Sequence, residues 1–124
     1  MNAIAALDIL IVDDHEGMRT LLTTILARFG AARIRQAASG AAALAMLEAE
    51  PAALILTDHM MPEMDGIALT ERVRARDSKA RIIMITGRAE PRYAEAAAAA
   101  GANAVLVKPV SPRSLIEAIE RVFS

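Results

Sequence analysis

The stretch Leu7-Asp-Ile-Leu-Ile-Val-Asp-Asp14 places a short apolar run directly before two adjacent carboxylates. The run over residues 7–12 is too short for a helix and is rich in Ile, Leu and Val, which predicts a buried strand. In an open parallel sheet, functional groups gather at the carboxyl ends of the strands. We therefore expect this strand to place Asp13 and Asp14 at a functional edge of a sheet.

Four other segments of the chain predict strands. Residues 53–57, 82–86 and 104–107 form short apolar runs of the same kind. Residues 33–37 include two arginines that alternate with uncharged side chains, and arginines on an exposed border protect an edge strand from mispairing. We expect this segment at one edge of the sheet.

A segment with helical periodicity follows each of the five predicted strands. Capping and stop residues mark the expected helix ends, namely Ser39, Asp65 and Ser111 at starts, Pro91 in a first turn, and Gly30 and Gly101 at stops. The apolar stripe of the first helix comprises Met18, Leu21, Leu22, Ile25, Leu26 and Phe29. Strands alternating with helices pair in parallel through right-handed crossovers, which predicts a doubly wound, five-stranded α/β sheet.

Composition narrows the classes of function. The 124 residues carry a net charge of −1 and no cysteine, which excludes disulfides, thiolate metal sites and cysteine nucleophiles. We expect one domain over residues 1–124 in the cytoplasm, because residues 1–4 carry no positive charge and no apolar run approaches the roughly 18 residues of a membrane span. The charge balance favours neither nucleic acid nor membrane as a partner. A basic stretch over residues 72–81 is expected to be a solvated face.

The ends of four predicted strands carry polar groups of complementary charge. They are Asp13 and Asp14 after the first strand, Asp58 after the third, Thr86 as the last residue of the fourth and Lys108 after the fifth. Three crowded carboxylates repel one another unless a cation lies between them, and oxygen ligands suit Mg²⁺. A hydroxyl and an ammonium group beside a magnesium site fit the binding of a phosphoryl group on an aspartate.

Four motifs make the whole chain resemble the receiver domains of two-component response regulators. The motifs are Ile9-Leu-Ile-Val-Asp-Asp14, Thr57-Asp-His-Met-Met-Pro-Glu-Met-Asp-Gly66, Ile83-Met-Ile-Thr-Gly87 and Val105-Leu-Val-Lys-Pro109. The resemblance implies a flavodoxin-like (βα)5 fold with strand order 2-1-3-4-5. It also implies a signalling switch with a histidine kinase or histidine phosphotransfer protein as phosphodonor.

The resemblance assigns the acceptor and the metal ligands. Asp58 would be the phosphoacceptor, and Asp14 and Asp58 would bind Mg²⁺ directly. Asp13 would act through a water molecule, and the backbone carbonyl of Met60 would supply a further ligand.

The resemblance also assigns the switch. Lys108 would pair with a phosphoryl oxygen, Thr86 would turn towards the phosphoryl group, and Pro109 would follow a cis peptide bond. A downstream protein or a second copy of the chain would bind the fourth helix, fifth strand and fifth helix. Members of the family often carry Tyr or Phe where this chain has Val105, so the usual coupling of the threonine to an aromatic side chain is in question here.

The same residues also fit two alternative functions. A phosphatase with an aspartyl-phosphate intermediate would share the metal and the nucleophile, and a pseudo-receiver would bind partners without phosphorylation.

Both histidines, His15 and His59, are expected to be exposed in loops or at helix starts, and Arg88 is expected to be solvated. The methionines of the loop after Asp58 are expected to pack within that loop.

Overall fold

Strands and helices alternate along the part of the chain that the computed structural model describes, residues 3–124, after a short 3₁₀ turn at Ala3–Ala6. The strands are β1 (Asp8–Val12), β2 (Arg33–Ala37), β3 (Leu54–Asp58), β4 (Arg81–Thr86) and β5 (Ala104–Val107). The helices are α1 (Glu16–Arg28), α2 (Gly40–Ala49), α3 (Gly66–Arg74), α4 (Pro91–Ala100) and α5 (Pro112–Val122). All four strand pairs are parallel, in the order β2-β1-β3-β4-β5.

The predicted fold class and strand order are confirmed. Each predicted strand lies within one residue of its observed bounds, and β2 forms an edge of the sheet as expected. The predicted caps are also present, because the side chains of Ser39, Asp65 and Ser111 accept hydrogen bonds from the first turns of α2, α3 and α5. Gly101 ends α4 with a φ of 114°, a left-handed conformation that favours glycine.

Alternate residues of the central strands point to opposite sides of the sheet, so each strand supplies two cores. Ile9 and Ile11 pack with α1 and α5 on one side, whereas Leu10 and Val12 pack with α2 and α3 on the other. Both faces of the sheet are thus covered, and its ends are left for function.

The predicted apolar stripe of α1 is wrong at two positions. Leu22, Ile25 and Leu26 are buried, but Leu21 and Phe29 are 46% and 41% exposed. Fewer positions of α1 are buried against the sheet than the sequence predicts, and Leu21 and Phe29 lie outside this buried face. Leu21 and Phe29 line an open groove with the segment that begins α5.

No helix within residues 3–124 combines the length and the apolar character that crossing a membrane requires.

Candidate functional site

The carboxyl ends of β1, β3 and β5 bring the ammonium group of Lys108 close to carboxylates. Asp58 is the last residue of β3, and its side chain is buried. Lys108 directly follows β5, and its Nζ lies 3.0 Å from Oδ1 of Asp58. A charge-assisted contact of this length fixes the position of the carboxylate and balances its charge. The sheet therefore holds Asp58 with one oxygen already facing a cation.

The acidic pair after β1 lies beside Asp58. Ligand atoms of Asp13, Asp14, His15 and Asp58 all lie within 4.8 Å of one another. Oδ1 of Asp14 is buried and accepts no hydrogen bond within residues 3–124, although Nδ1 of His15 lies 3.3 Å away. A buried carboxylate oxygen without a hydrogen bond is costly, and a hard divalent cation would satisfy it. The three carboxylates therefore fit Mg²⁺, and the partly exposed side chain of Asp14 leaves the site accessible to water.

Asp13 is held in an environment that disfavours its charge. Burial raises the pKa of the Asp13 carboxyl, the backbone N–H of His15 lowers it through a 2.9 Å hydrogen bond, and the nearby charge of Asp58 raises it again. The net result is a raised pKa. The ionised form of Asp13 is therefore less favourable in the folded than in the unfolded chain when no cation is bound.

Replacing Asp13 by asparagine is expected to raise the free energy of unfolding of the EDTA-treated protein by about 1 kcal/mol. The amide removes the charge, while its oxygen can still accept the hydrogen bond from the N–H of His15. Mg²⁺ should stabilise this variant less than it stabilises the wild type, since the variant offers the cation one charge fewer. Urea unfolding followed by circular dichroism, with EDTA and with Mg²⁺, measures both effects.

The matched control is Asp8→Asn, at the opposite end of the same strand. Asp8 contacts Nη2 of Arg33 at 3.2 Å and Nη2 of Arg35 at 3.0 Å, so its charge is paired. This variant should lose about 0.5 kcal/mol instead of gaining stability, and it should leave the response to Mg²⁺ unchanged. A loss of stability in Asp13→Asn under EDTA would contradict the interpretation that its charge is unfavourable.

The loop between β3 and α3 folds tightly against Asp58. The N–H of Gly66 donates a 2.7 Å hydrogen bond to the carbonyl oxygen of His59, and a Cβ atom at Gly66 would contact the carbonyl oxygen of Asp58. The expected packing of the methionines within this loop is wrong: Met60 is 54% exposed, whereas Met61 is buried in the core beside α2 and α3 and Met64 packs partly buried against that core.

One of the two predictions for the histidines is wrong. The side chain of His15 is 71% exposed at the start of α1, as expected. His59, however, is only 3% exposed. Its Nδ1 lies 3.0 Å from Oγ1 of Thr86, which is fully buried at the end of β4, and its ring meets the ring of Tyr93 edge-on at 5.4 Å. The sequence could not predict this burial, because His59 follows a strand and belongs to neither the strand nor the helix periodicity.

The remaining predicted positions lie on β5 and in the loop after β4. The peptide bond between Lys108 and Pro109 is cis. Val105 lies in the edge strand β5 and is partly exposed. Arg88 follows β4, and its backbone N–H donates to Oγ1 of Thr86 at 3.0 Å.

The basic stretch is not a uniformly solvated face. The guanidinium of Arg74 donates to the carbonyl oxygens of Gly101 and Ser78, both at 2.9 Å, and that of Arg81 donates to the carbonyl oxygen of Val122 at 2.8 Å. Two of these cations therefore join helix and strand ends.

Residues 9–120 match the family model for the response regulator receiver domain. The chain belongs to this family. Receiver domains act as phosphorylation-controlled switches in two-component signalling and bind Mg²⁺ at an acidic cluster, which Asp13, Asp14 and Asp58 form in this receiver domain.

Chemotaxis regulators are similar to this receiver domain over nearly their whole length. It is 34% identical to a probable chemotaxis protein CheY of Rhizobium etli, over 99% of this chain and 97% of the relative. It is 37% identical to the chemotaxis protein CheY of Pseudomonas aeruginosa, over 93% of this chain and 94% of that protein. Among solved structures, a chain of the CheX–CheY–BeF3–Mg²⁺ complex from Borrelia burgdorferi superposes with a TM-score of 0.90 at 28% identity, over 94% of this chain and 89% of that one.

Proposed function

We propose that this receiver domain, over residues 1–124, is a signalling switch in which Asp58 accepts a phosphoryl group from a phosphohistidine of a kinase or phosphotransfer protein. The contact of 3.0 Å between Lys108 and Asp58 carries the proposal, because it places a cation beside the acceptor carboxylate. A carboxylate oxygen of Asp58 would attack the phosphorus. The P–O bond forms as the P–N bond breaks, and the imidazole leaves with its electron pair.

Several residues around Asp58 would together neutralise the negative charge of the phosphoryl group. Asp14, Asp58 and the backbone carbonyl of Met60 would hold Mg²⁺ directly, and Asp13 would hold one of its water ligands. The ion would supply positive charge to the oxygens of the phosphoryl group. The ammonium of Lys108 would hold one phosphoryl oxygen, and the Thr86 hydroxyl would donate to another. Phosphoryl transfer depends mainly on such positioning and charge neutralisation.

Phosphorylation would change the affinity for partners. A Thr86 hydroxyl that turns to the phosphoryl group draws the loop after β4 with it, and this motion shifts the population between two states of the domain. The surface of α4, β5 and α5 would then bind a downstream protein or a second copy of the chain. Val107 supports this assignment, since it is 45% exposed on the edge strand of that surface.

The alternative of a phosphatase would use the same nucleophile on an external substrate. In the structure the acceptor candidate ends the third strand, whereas such enzymes usually place their nucleophile after the first strand. A pseudo-receiver would have no need of the paired charges of Lys108 and Asp58. Steady turnover of an external phosphate ester would favour the phosphatase.

Incubation of the protein with acetyl phosphate tests the proposal. We expect intact-protein mass spectrometry to show the addition of one phosphoryl group in the presence of Mg²⁺ and no addition in EDTA. Borohydride reduction followed by peptide mapping should locate the acyl phosphate at Asp58. Labelling that is equal with Mg²⁺ and with EDTA, or that lies elsewhere, would contradict the proposal.

A further inference from the structure

The hydroxyl of Thr86 is held from two sides in this structure. Nδ1 of His59 and the backbone N–H of Arg88 each lie 3.0 Å from its Oγ1. Thr86 and His59 are both buried, so water cannot replace either contact at low cost. The side-chain position of Thr86 is thus fixed by a neighbour that directly follows Asp58 in the chain.

The same imidazole contacts the first turn of α4. The rings of His59 and Tyr93 meet edge-on, with centroids 5.4 Å apart and planes at 61°. Such edge-to-face contacts are favourable because the positive edge of one ring meets the negative face of the other. The guanidinium groups of Arg88 and Arg92 lie 5.4 and 4.9 Å from the centre of the Tyr93 ring. His59 therefore connects a buried hydroxyl to a partly exposed aromatic side chain between two cations.

We propose that His59 is a positioning residue, which holds the Thr86 hydroxyl in the unphosphorylated state and transmits its release to Tyr93 at the start of α4. This inference rests on the proposed phosphorylation of Asp58. Members of the family often couple the threonine to an aromatic side chain at the position of Val105. In this chain, His59 and Tyr93 would provide that coupling instead.

The chemistry of the hydroxyl makes the two positions of Thr86 exclusive. A hydroxyl carries a single hydrogen, and a change of χ1 moves the oxygen itself. If Thr86 turns towards a phosphoryl oxygen on Asp58, it gives up its contacts with both His59 and Arg88. The imidazole then loses its only polar side-chain contact recorded within residues 3–124 and is free to shift against Tyr93.

The sequence provides a clean spectroscopic probe of this link. Tyr93 is the sole tyrosine, and the chain contains no tryptophan, so intrinsic fluorescence reports on one side chain next to His59. Beryllofluoride with Mg²⁺ mimics an acyl phosphate on an aspartate, and fluorine NMR measures its binding independently of Tyr93. We expect beryllofluoride to change the emission of Tyr93 and its quenching by iodide.

Two substitutions separate the hydrogen bond from the ring contact. His59→Phe keeps a ring but cannot hold the hydroxyl, so it should bind beryllofluoride about fivefold more tightly, as expected when one buried hydrogen bond no longer stabilises the unliganded state. His59→Asn keeps a polar atom near the position of Nδ1 but lacks the ring, so its affinity should stay close to that of the wild type. In both variants the fluorescence response of Tyr93 should be largely lost.

A control moves the probe away from His59. The double variant Tyr93→Phe with Phe29→Tyr places the sole tyrosine directly after α1, and its emission should not respond to beryllofluoride. Full fluorescence responses in both His59 variants, or equal tightening in both, would overturn the proposal. So would bound beryllofluoride without any response of Tyr93 in the wild type. Failure of the wild type to bind beryllofluoride at all would instead refute the phosphorylation of Asp58 on which the proposal rests.

Discussion

Asp58→Asn is expected to abolish the Mg²⁺-dependent incorporation of phosphate from acetyl phosphate. An amide oxygen is a poor nucleophile, and the substitution also removes the negative charge that faces Nζ of Lys108 at 3.0 Å. Intact-protein mass spectrometry should show no phosphorylated species under conditions that label most of the wild type. The side chain keeps its size, so circular dichroism should show a folded protein.

Asp65→Asn is the matched control. Asp65 caps α3 by accepting a hydrogen bond from the N–H of Ala68 at 2.8 Å, and asparagine caps a helix equally well. The residue lies in the loop that follows Asp58, so the same chemical change is made close to the site in the chain. This variant should be phosphorylated as the wild type is. Phosphate on Asp58→Asn would show that another carboxylate, such as Asp14, can serve as the acceptor.

The fold and the grouping of charges could be predicted because both follow from periodicity. Parallel strands end at the same edge of a sheet, so the residues after each apolar run predict that Asp13, Asp58 and Lys108 are neighbours. Hydrogen-bonding caps such as Ser111 mark helix starts through local contacts between residues close in sequence. Signals of this kind are contained in short segments of the chain.

The surroundings of Thr86 could not be predicted in this way. The contact with His59 joins residues 27 apart in sequence, and the contact of His59 with Tyr93 depends on where α4 begins relative to β3. Histidine is intermediate between the residue types that are usually buried and those that are usually exposed, so its burial here depends on the packing of the loop against β4. The exposure of Leu21 has the same origin, because periodicity gives the direction of an apolar stripe but not the width of the surface that covers it.

The backbone of the loop after β3 also holds residues of the site in position. His59 is fixed at both backbone atoms, since its N–H donates to the carbonyl oxygen of Ile85 at 2.9 Å and its carbonyl accepts from the N–H of Gly66 at 2.7 Å. The backbone on both sides of His59, including the peptide that joins it to Asp58, is therefore held between β4 and the start of α3. Any residue that forces this peptide to move must disturb the acceptor and the contact with Thr86 together.

Gly66→Ala is expected to lower the free energy of unfolding by about 3 kcal/mol, through overpacking against atoms that cannot turn aside. A Cβ atom at this position would contact the carbonyl oxygen of Asp58 and approach Cα of His59 to 3.1 Å. Both neighbours are backbone atoms of the segment that the hydrogen bonds of His59 hold, and the Asp58 oxygen also accepts a hydrogen bond from Oγ1 of Thr57 at 3.0 Å, so the clash must displace the peptide after Asp58. Urea unfolding followed by circular dichroism measures the loss. Fluorine NMR should also show weaker binding of beryllofluoride by the fraction that remains folded.

Gly17→Ala makes the same change where space is free. In residues 3–124, no heavy atom outside the helix backbone and its immediate neighbours lies within 4 Å of a Cβ built at Gly17 in α1. Alanine favours helix over glycine, so this variant should gain about 0.5 kcal/mol. The opposite signs of the two substitutions separate a steric requirement at Gly66 from the general effect of removing a glycine. Equal stability of the two variants would mean that the peptide between Asp58 and His59 can move without cost, and that the backbone after β3 does not hold the acceptor in place.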